Sequence, residues 1–121
     1  MHPRTRRILL VEDDADVRGA LAALLEGEGY QVVEAAHGGE ALAHLRATTF
    51  CLILLDLMMP VMNGWQFRAE QLKDPALAAV PVVVVTADNS VAEKAAEVGA
   101  AGYLLKPIDF SELLAHVERC C

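Results

Sequence analysis

The sequence predicts an α/β domain in which one parallel sheet is covered by helices on both faces. Three observations carry that prediction. Short apolar runs alternate with amphipathic stretches five times along 121 residues. The third run, Cys51-Leu52-Ile53-Leu54-Leu55, has no polar position, as expected of a strand buried on both faces. The fourth, Val82 to Thr86, is almost wholly β-branched and so strongly strand-forming. Strands alternating with helices pair in parallel through right-handed crossovers, which puts helices on both sides of the sheet.

Taken in order, Arg7 to Val11 is the first strand. A helix follows from Ala15 to about Glu28, with Val17, Leu21, Leu24 and Leu25 at helical spacing and Gly27 and Gly29 at its end. Gln31 to Ala35 is the second strand, and Gly38 to Ala47 a helix with Ala41, Leu42 and Leu45 on one face. The third strand, Cys51 to Asp56, leads through Leu57-Met58-Met59-Pro60 to a helix from about Asn63 to Lys73. Asp74-Pro75 breaks the chain before the fourth strand, Val82 to Thr86. Ser90-x-x-Glu93 reads as a capping box opening a helix that ends near Val98-Gly99. Gly102 to Leu105 is a short fifth strand, and Asp109 caps a last helix reaching toward Arg119. There is no linker, repeat or low-complexity tract, so one domain over residues 1–121, with a core of about 7–119, accounts for the chain.

Composition narrows the function. A formal charge of -7 disfavours nonspecific nucleic-acid binding, which needs phosphates neutralised. No apolar stretch reaches the length of a membrane span, and Met-His-Pro-Arg-Thr-Arg-Arg lacks the apolar core of a signal peptide, so the expected location is cytoplasmic. Arg4, Arg6 and Arg7 read as a solubilising tail cluster. His2, His37, His44 and His116 are scattered without ligand spacing and read as surface residues. Cys51 reads as a small buried hydrophobe. Cys120 and Cys121 are adjacent, poorly placed to bond each other and without a second pair for zinc, so no metal or redox role is expected of them. Unwanted intermolecular oxidation is the expected consequence.

In a parallel sheet the C-terminal strand ends gather on one edge, where open α/β sheets bind ligands. The first strand brings Glu12, Asp13 and Asp14 there, the third Asp56, the fourth Thr86, and the fifth Lys106 followed by Pro107. Each has an ordinary explanation alone: acids favour a helix N-terminus, an Asp opens a turn, a Lys is solvated. Together they make a site. Carboxylates about 4 Å apart repel by about 4 kcal/mol at an effective dielectric near 20. A hard dication relieves that repulsion, and an all-oxygen set with few protein ligands suits Mg²⁺. An Asp beside Mg²⁺, an ammonium and a hydroxyl is equipped to accept a phosphoryl group as an acyl phosphate.

The chain resembles the response-regulator receiver domains of two-component signalling, from Ile8 to about Val117. The resemblance rests on Leu9-Leu10-Val11-Glu12-Asp13-Asp14 with Val17-Arg18, Asp56-Leu57-Met58-Met59-Pro60 with Gly64, Val85-Thr86-Ala87, and Gly102-Tyr103-Leu104-Leu105-Lys106-Pro107. It implies a flavodoxin-like (βα)5 fold with strand order 2-1-3-4-5. It also implies a phosphorylation-controlled switch that receives its phosphoryl group from a histidine kinase or phosphotransfer protein, in a Mg²⁺-dependent, self-catalysed transfer. Asp56 then resembles the phosphoacceptor, and Glu12, Asp13 and the Met58 carbonyl the metal ligands beside it. Asp14 is implied to cap the first helix. Thr86, the Ala87 N–H and Lys106 are implied to bind the phosphoryl group, with Thr86 and Tyr103 as the switch pair and a cis Lys106-Pro107 bond. Asn63 stands where the family often has Asp, an expected change to a turn and not to the chemistry.

The implied output is a change in the face made by the fourth predicted helix, the fifth strand and the fifth predicted helix. That face would meet a partner or a second copy of the chain, and Val17 and Ala20 are candidate contacts for the phosphodonor. The initiating Met and the lack of a linker favour a free-standing regulator over a piece of a hybrid kinase. Two other readings fit the fold class less well. An Asp-nucleophile phosphohydrolase of the haloacid-dehalogenase type needs a second acid two residues on, where Met58 stands. A phosphorylation-independent docking or dimerisation module would leave the acids, Thr86 and Lys106 without a purpose. Cognate kinase, output pathway, phosphate lifetime and oligomeric state are not legible in the sequence.

Overall fold

A computed structural model describes residues 6–59 and 62–121. In chain order the elements are β1 (Arg7–Val11), α1 (Ala15–Gly27), β2 (Gln31–Ala35), α2 (Gly38–Ala47), β3 (Leu52–Asp56) and α3 (Gly64–Leu72). A single turn, α4 (Pro75–Ala78), then precedes β4 (Val82–Thr86), α5 (Val91–Glu97), β5 (Gly102–Leu105) and α6 (Phe110–Cys120). The five strands are all parallel, in the order β2-β1-β3-β4-β5. The chain moves from β1 outward to β2, then crosses back over β1 to β3. The crevice at the C-terminal ends of β1 and β3 is therefore the topological switch point of the sheet, where such folds bind ligands.

The period of two along each strand divides the core. Leu9, Val11, Ile53, Leu55, Val82 and Val84 face α2, α3 and α5 and pack with Leu42, Leu45, Phe67, Val91 and Ala95. Ile8, Leu10, Leu52, Leu54, Val83 and Val85 face α1 and α6 and pack with Leu21, Leu25, Leu113 and Val117. All five residues of β3 and of β4 are buried, which is why neither strand has a polar alternate position before its last residue.

Helix starts follow local chemistry. Asp14 Oδ1 accepts from the N–H groups of Asp16 and Val17 and caps α1. Asn63 and Gln66 form a reciprocal capping box at α3. Asp109 accepts from the Glu112 N–H at α6. The expected capping box at Ser90 is absent: its side chain makes no bond to the helix, and its hydroxyl donates instead to Asp88 Oδ1 at 2.6 Å. The hydroxyl is oriented by an ionised acceptor two residues back instead of by the helix N–H groups. Asp74-Pro75 does not simply break the chain, because Asp74 caps the turn of α4 that Pro75 begins.

Three surface readings also change. His37 caps α2, its Nδ1 accepting from the Glu40 N–H. His2, Arg4 and Pro60 lie outside the described residues. Arg6 stacks on Tyr30, 4.3 Å from the ring centre, and Arg7 donates to Thr48 Oγ1 and the Thr49 carbonyl, so these two cations hold structure. The largest correction is Cys51, which is disulfide-bonded to Cys121 across a Cα separation of 5.3 Å, with Cys120 a free thiol. Cys120 and Cys121 do not bond each other, as expected. The pairing over 70 residues arises because α6 runs antiparallel to the sheet and returns its C-terminal end to the start of β3. Closing a loop of that length removes about 4 kcal/mol of chain entropy from the unfolded state.

Gly64 is where the β3–α3 loop closes, its N–H donating to the Leu57 carbonyl at 3.0 Å. A Cβ there would stand 2.8 Å from the Leu57 Cα, which is backbone and cannot step aside. Gly64→Ala is expected to cost about 1–3 kcal/mol in urea unfolding. An unchanged midpoint would show that the loop tolerates the methyl group.

Candidate functional site

Four strand ends supply the site. Glu12 follows β1, and its N–H donates to the Ala35 carbonyl of β2 at 3.0 Å, while Arg18 donates to its carbonyl at 2.7 Å. Arg18 is in turn held 3.4 Å from Glu34, so the Glu12 backbone is fixed from two sides. Asp56 ends β3 opposite Val85 of β4. Its Oδ1 accepts from the Met58 N–H at 2.9 Å, the bond that turns the chain out of the strand. Thr86 ends β4, and its carbonyl accepts from the Lys106 N–H at 2.8 Å, which carries the ladder one residue past β5.

The side chains converge. Lys106 Nζ donates to Glu12 Oε1 at 2.6 Å and lies 3.6 Å from Asp56 Oδ2. Oxygens of Glu12, Asp13 and Asp56 all lie within 4.8 Å of one another. Glu12, Asp56 and Thr86 are buried, whereas Asp13 is exposed at the mouth. A cleft of about 460 Å³ opens over these groups and also touches Met58, Ala87 and Asp88. Three carboxylates thus face one ammonium in a partly dry crevice.

Titration follows that crowding. Burial first, then the neighbouring Glu12 carboxylate, raises Asp56 to about 6, with the Met58 N–H and Lys106 pulling the other way. Burial alone would lower the Lys106 ammonium. Its bond to Glu12 and the charge of Asp56 outweigh this and hold it above its ordinary value, so it stays charged.

The residues fit a hard dication. The donor set is all oxygen, and Glu12 Oε2 is buried without a hydrogen-bond partner among the described residues. An orphaned carboxylate oxygen beside two further carboxylates is costly unless a cation completes it.

Each sequence-derived candidate falls on this edge or next to it. Glu12, Asp13, Asp56, Thr86 and Lys106 are brought together, with Met58 and Ala87 on the rim. Asp14 lies on the cleft wall with its carboxylate engaged in the α1 cap. The Lys106-Pro107 bond is cis. Tyr103 is an exposed residue of β5, paired with Val84 of β4. Val17 and Ala20 line a second, mostly apolar groove of about 510 Å³ with Pro107 and Ile108, sharing Ala87 and Lys106 with the acidic cleft.

Sequence reasoning missed the Asp88 lock. Asp88 accepts from the N–H and hydroxyl of Ser90 and from Lys94, while its own N–H donates to Thr86 Oγ1 at 3.3 Å. Those bonds hold the Asp88 carboxyl well below the usual range. The Asp-x-Ser spacing was the available signal, whereas Ser90 alone reads as the start of a capping box with Glu93.

Comparison with known proteins agrees with the geometry. Residues 8–118 match the response regulator receiver domain family, and the chain belongs to it. It is 37% identical over 114 residues to the protein PilH of Pseudomonas aeruginosa, covering 93% of this chain and 94% of that one. Other curated relatives are longer, and the chain spans from a quarter to about half of several of them. Among solved structures, the chemotaxis response regulator CheY4 of Vibrio cholerae superposes with a TM-score of 0.88 at 32% identity, over 98% of this chain and all of that one. The response regulator TrrA of Thermotoga maritima, solved in complex with Mg²⁺-BeF, superposes with a TM-score of 0.85 at 29% identity, over 95% of this chain and 98% of that one. The chain is therefore a receiver domain of the two-component response-regulator class, with an acidic cleft compatible with Mg²⁺ and a phosphoacceptor Asp. No helix among the described residues is long and apolar enough to cross a membrane.

The raised Asp56 has a thermodynamic consequence. Between the unfolded value near 3.8 and the folded value of about 6, the folded state holds the extra proton, so stability falls as pH rises through that window. In EDTA, Asp56→Asn is expected to stabilise the fold by about 2 kcal/mol above neutrality, with the gain vanishing below pH about 4. Urea unfolding across that range checks it, and a gain independent of pH would contradict it.

Proposed function

We propose that Asp56 is the phosphoacceptor of a signalling switch, charged by a histidine kinase or histidine phosphotransfer protein. The observation that carries this reading is the joint approach of Lys106 to Glu12 and Asp56 above the acidic cleft. At neutral pH Asp56 is mostly ionised, as a nucleophile must be. The Met58 N–H fixes one carboxylate oxygen and leaves the other for in-line attack. A new Asp56 O–P bond forms as the P–N bond to the donor imidazole breaks, the pair of electrons leaving with the imidazole.

Lys106 is already within reach of Asp56 and follows the added negative charge. Thr86 Oγ1 accepts from the Asp88 N–H, which leaves its own hydrogen for a phosphoryl oxygen. The Ala87 N–H is a second donor at the rim. Glu12, Asp13, Asp56 and the Met58 carbonyl are the residues that would hold Mg²⁺. When bound, the ion supplies charge neutralisation of the carboxylates and the incoming phosphoryl oxygens. The same groups support hydrolysis of the acyl phosphate on the chain, and no turnover of a separate substrate is proposed. The protein works in the cytoplasm, and this chain forms one receiver domain with its core over about residues 7–119.

The output is a population shift on the face of α5, β5 and α6, where Tyr103 and Leu105 are exposed side chains of the edge strand. Movement of Thr86 toward the phosphoryl group vacates space that Tyr103 enters. A downstream protein or a second copy reads the change. The groove beside the cleft, with Val17 and Ala20 on its α1 wall, is where the donor docks.

With Mg²⁺ and acetyl phosphate, the wild-type chain is expected to gain one phosphoryl mass and Asp56→Asn none. Trp65, which donates to Glu97 of α5 at 3.2 Å, should report Mg²⁺-beryllofluoride binding by fluorescence. Equal labelling of both chains would remove Asp56 from the role. Labelling without any change at Trp65 would confine the effect to the cleft.

A further inference from the structure

Outside the acidic cleft, the three cysteines form a cluster that the phosphoryl chemistry does not use. Cys51 enters the base of β3, and Cys121 follows the last turn of α6. Their Cα atoms stand 5.3 Å apart, within the range that a disulfide spans without backbone movement. Cys120, the adjacent residue, carries a free thiol and packs against the same apolar cluster as the other two. All three are only half-buried, so a small molecule can reach the sulfurs.

We propose that Cys51, Cys120 and Cys121 are a reversible redox-modification site. The Cys51–Cys121 bond closes and opens by exchange with a low-molecular-weight thiol and its disulfide, of the glutathione class. In closing, the Cys121 thiolate attacks the small disulfide, forming a mixed disulfide and releasing one small thiolate. The Cys51 thiolate then attacks the Cys121 sulfur and releases the second. Two cysteine thiols are oxidised with loss of two protons, and one small disulfide is reduced to two thiols. Burial raises the Cys120 thiol, partly offset by Arg119, so Cys120 stays protonated while the pair is closed.

The bond has a mechanical effect. α6 is fastened to the sheet by Leu113 and Val117, and its last turn ends in the Cys121 N–H bond to the Val117 carbonyl. Closing adds a covalent anchor from that turn to the residue that enters β3, a strand buried throughout. Opening lets the turn fray, and with it one wall of the α5–β5–α6 face. Cys51 and Asp56 sit at opposite ends of β3, about 17 Å apart. The redox step therefore leaves the acidic cleft alone.

The full chain, equilibrated over a series of glutathione to glutathione-disulfide ratios, is quenched, alkylated with N-ethylmaleimide and weighed. Three alkyl groups are expected at the reducing end and one at the oxidising end, mapped to Cys120, with the same curve approached from either side. Oxidised wild type should melt at least about 5 °C above reduced. Cys120→Ala should keep the bond, while Cys51→Ala and, separately, Cys121→Ala should lose both the bond and the melting difference. Amide exchange in the last turn of α6 should quicken on reduction. Three alkyl groups throughout, cross-links between molecules, or a bond that survives the most reducing ratio would each overturn the proposal, the last by making it a fixed staple.

Discussion

Mutual repulsion of carboxylates in a half-dry crevice is the constraint around which this molecule is arranged. Glu12 and Asp56 are buried at neighbouring strand ends, and Asp13 stands at the mouth between them. Neither buried acid could remain there ionised without compensation. Lys106 supplies part of it, spanning both, and its raised pKa keeps that charge in place at any physiological pH. The remainder shows as a raised Asp56 and an orphaned Glu12 oxygen. The site stores an excess of negative charge that a dication can relieve.

The scaffold makes such a site tolerable. β3 and β4 are buried throughout, and Val/Leu/Ile packing on both faces fixes where their last residues fall. Loops then carry the chemistry on rigid supports: the Met58 N–H, the Gly64–Leu57 bond and the Asp88 lock each hold a short segment at the cleft rim. The two edge strands, β2 and β5, are the partly exposed ones. α5 is tied to α3 by the Trp65–Glu97 bond and by Arg68, which donates to the Val98 and Gly99 carbonyls. Any rearrangement of α5 must work against that tether.

Much of this was legible from residue order. The five strands and the helices α1, α2, α3, α5 and α6 follow from periodicity, and their bounds shift by a residue or two where fraying decides them. The acidic edge was legible because a parallel sheet sends every C-terminal end the same way, so Glu12, Asp56, Thr86 and Lys106 had to meet. Ser90 and the cysteines were misread for one reason. Ser90 has a cap-like spacing, but its hydroxyl donates to Asp88, whose other carboxylate oxygen accepts from Lys94. Cys51 and Cys121 are separated by 70 residues, and nothing local marks them as partners.

Local and periodic signals thus determined the elements, their alternation, and which edge of the sheet carries the acids. Those signals depend only on neighbours along the chain: backbone propensity, the periods of two and 3.6, and the shared direction of parallel strands. Three-dimensional closure decided the pairings between distant groups: Lys106 reaching Glu12 as well as Asp56, Arg6 on Tyr30, and Cys51 with Cys121. A side chain chooses among partners by distances of a few ångströms, and those distances exist only once the helices have packed on both faces of the sheet.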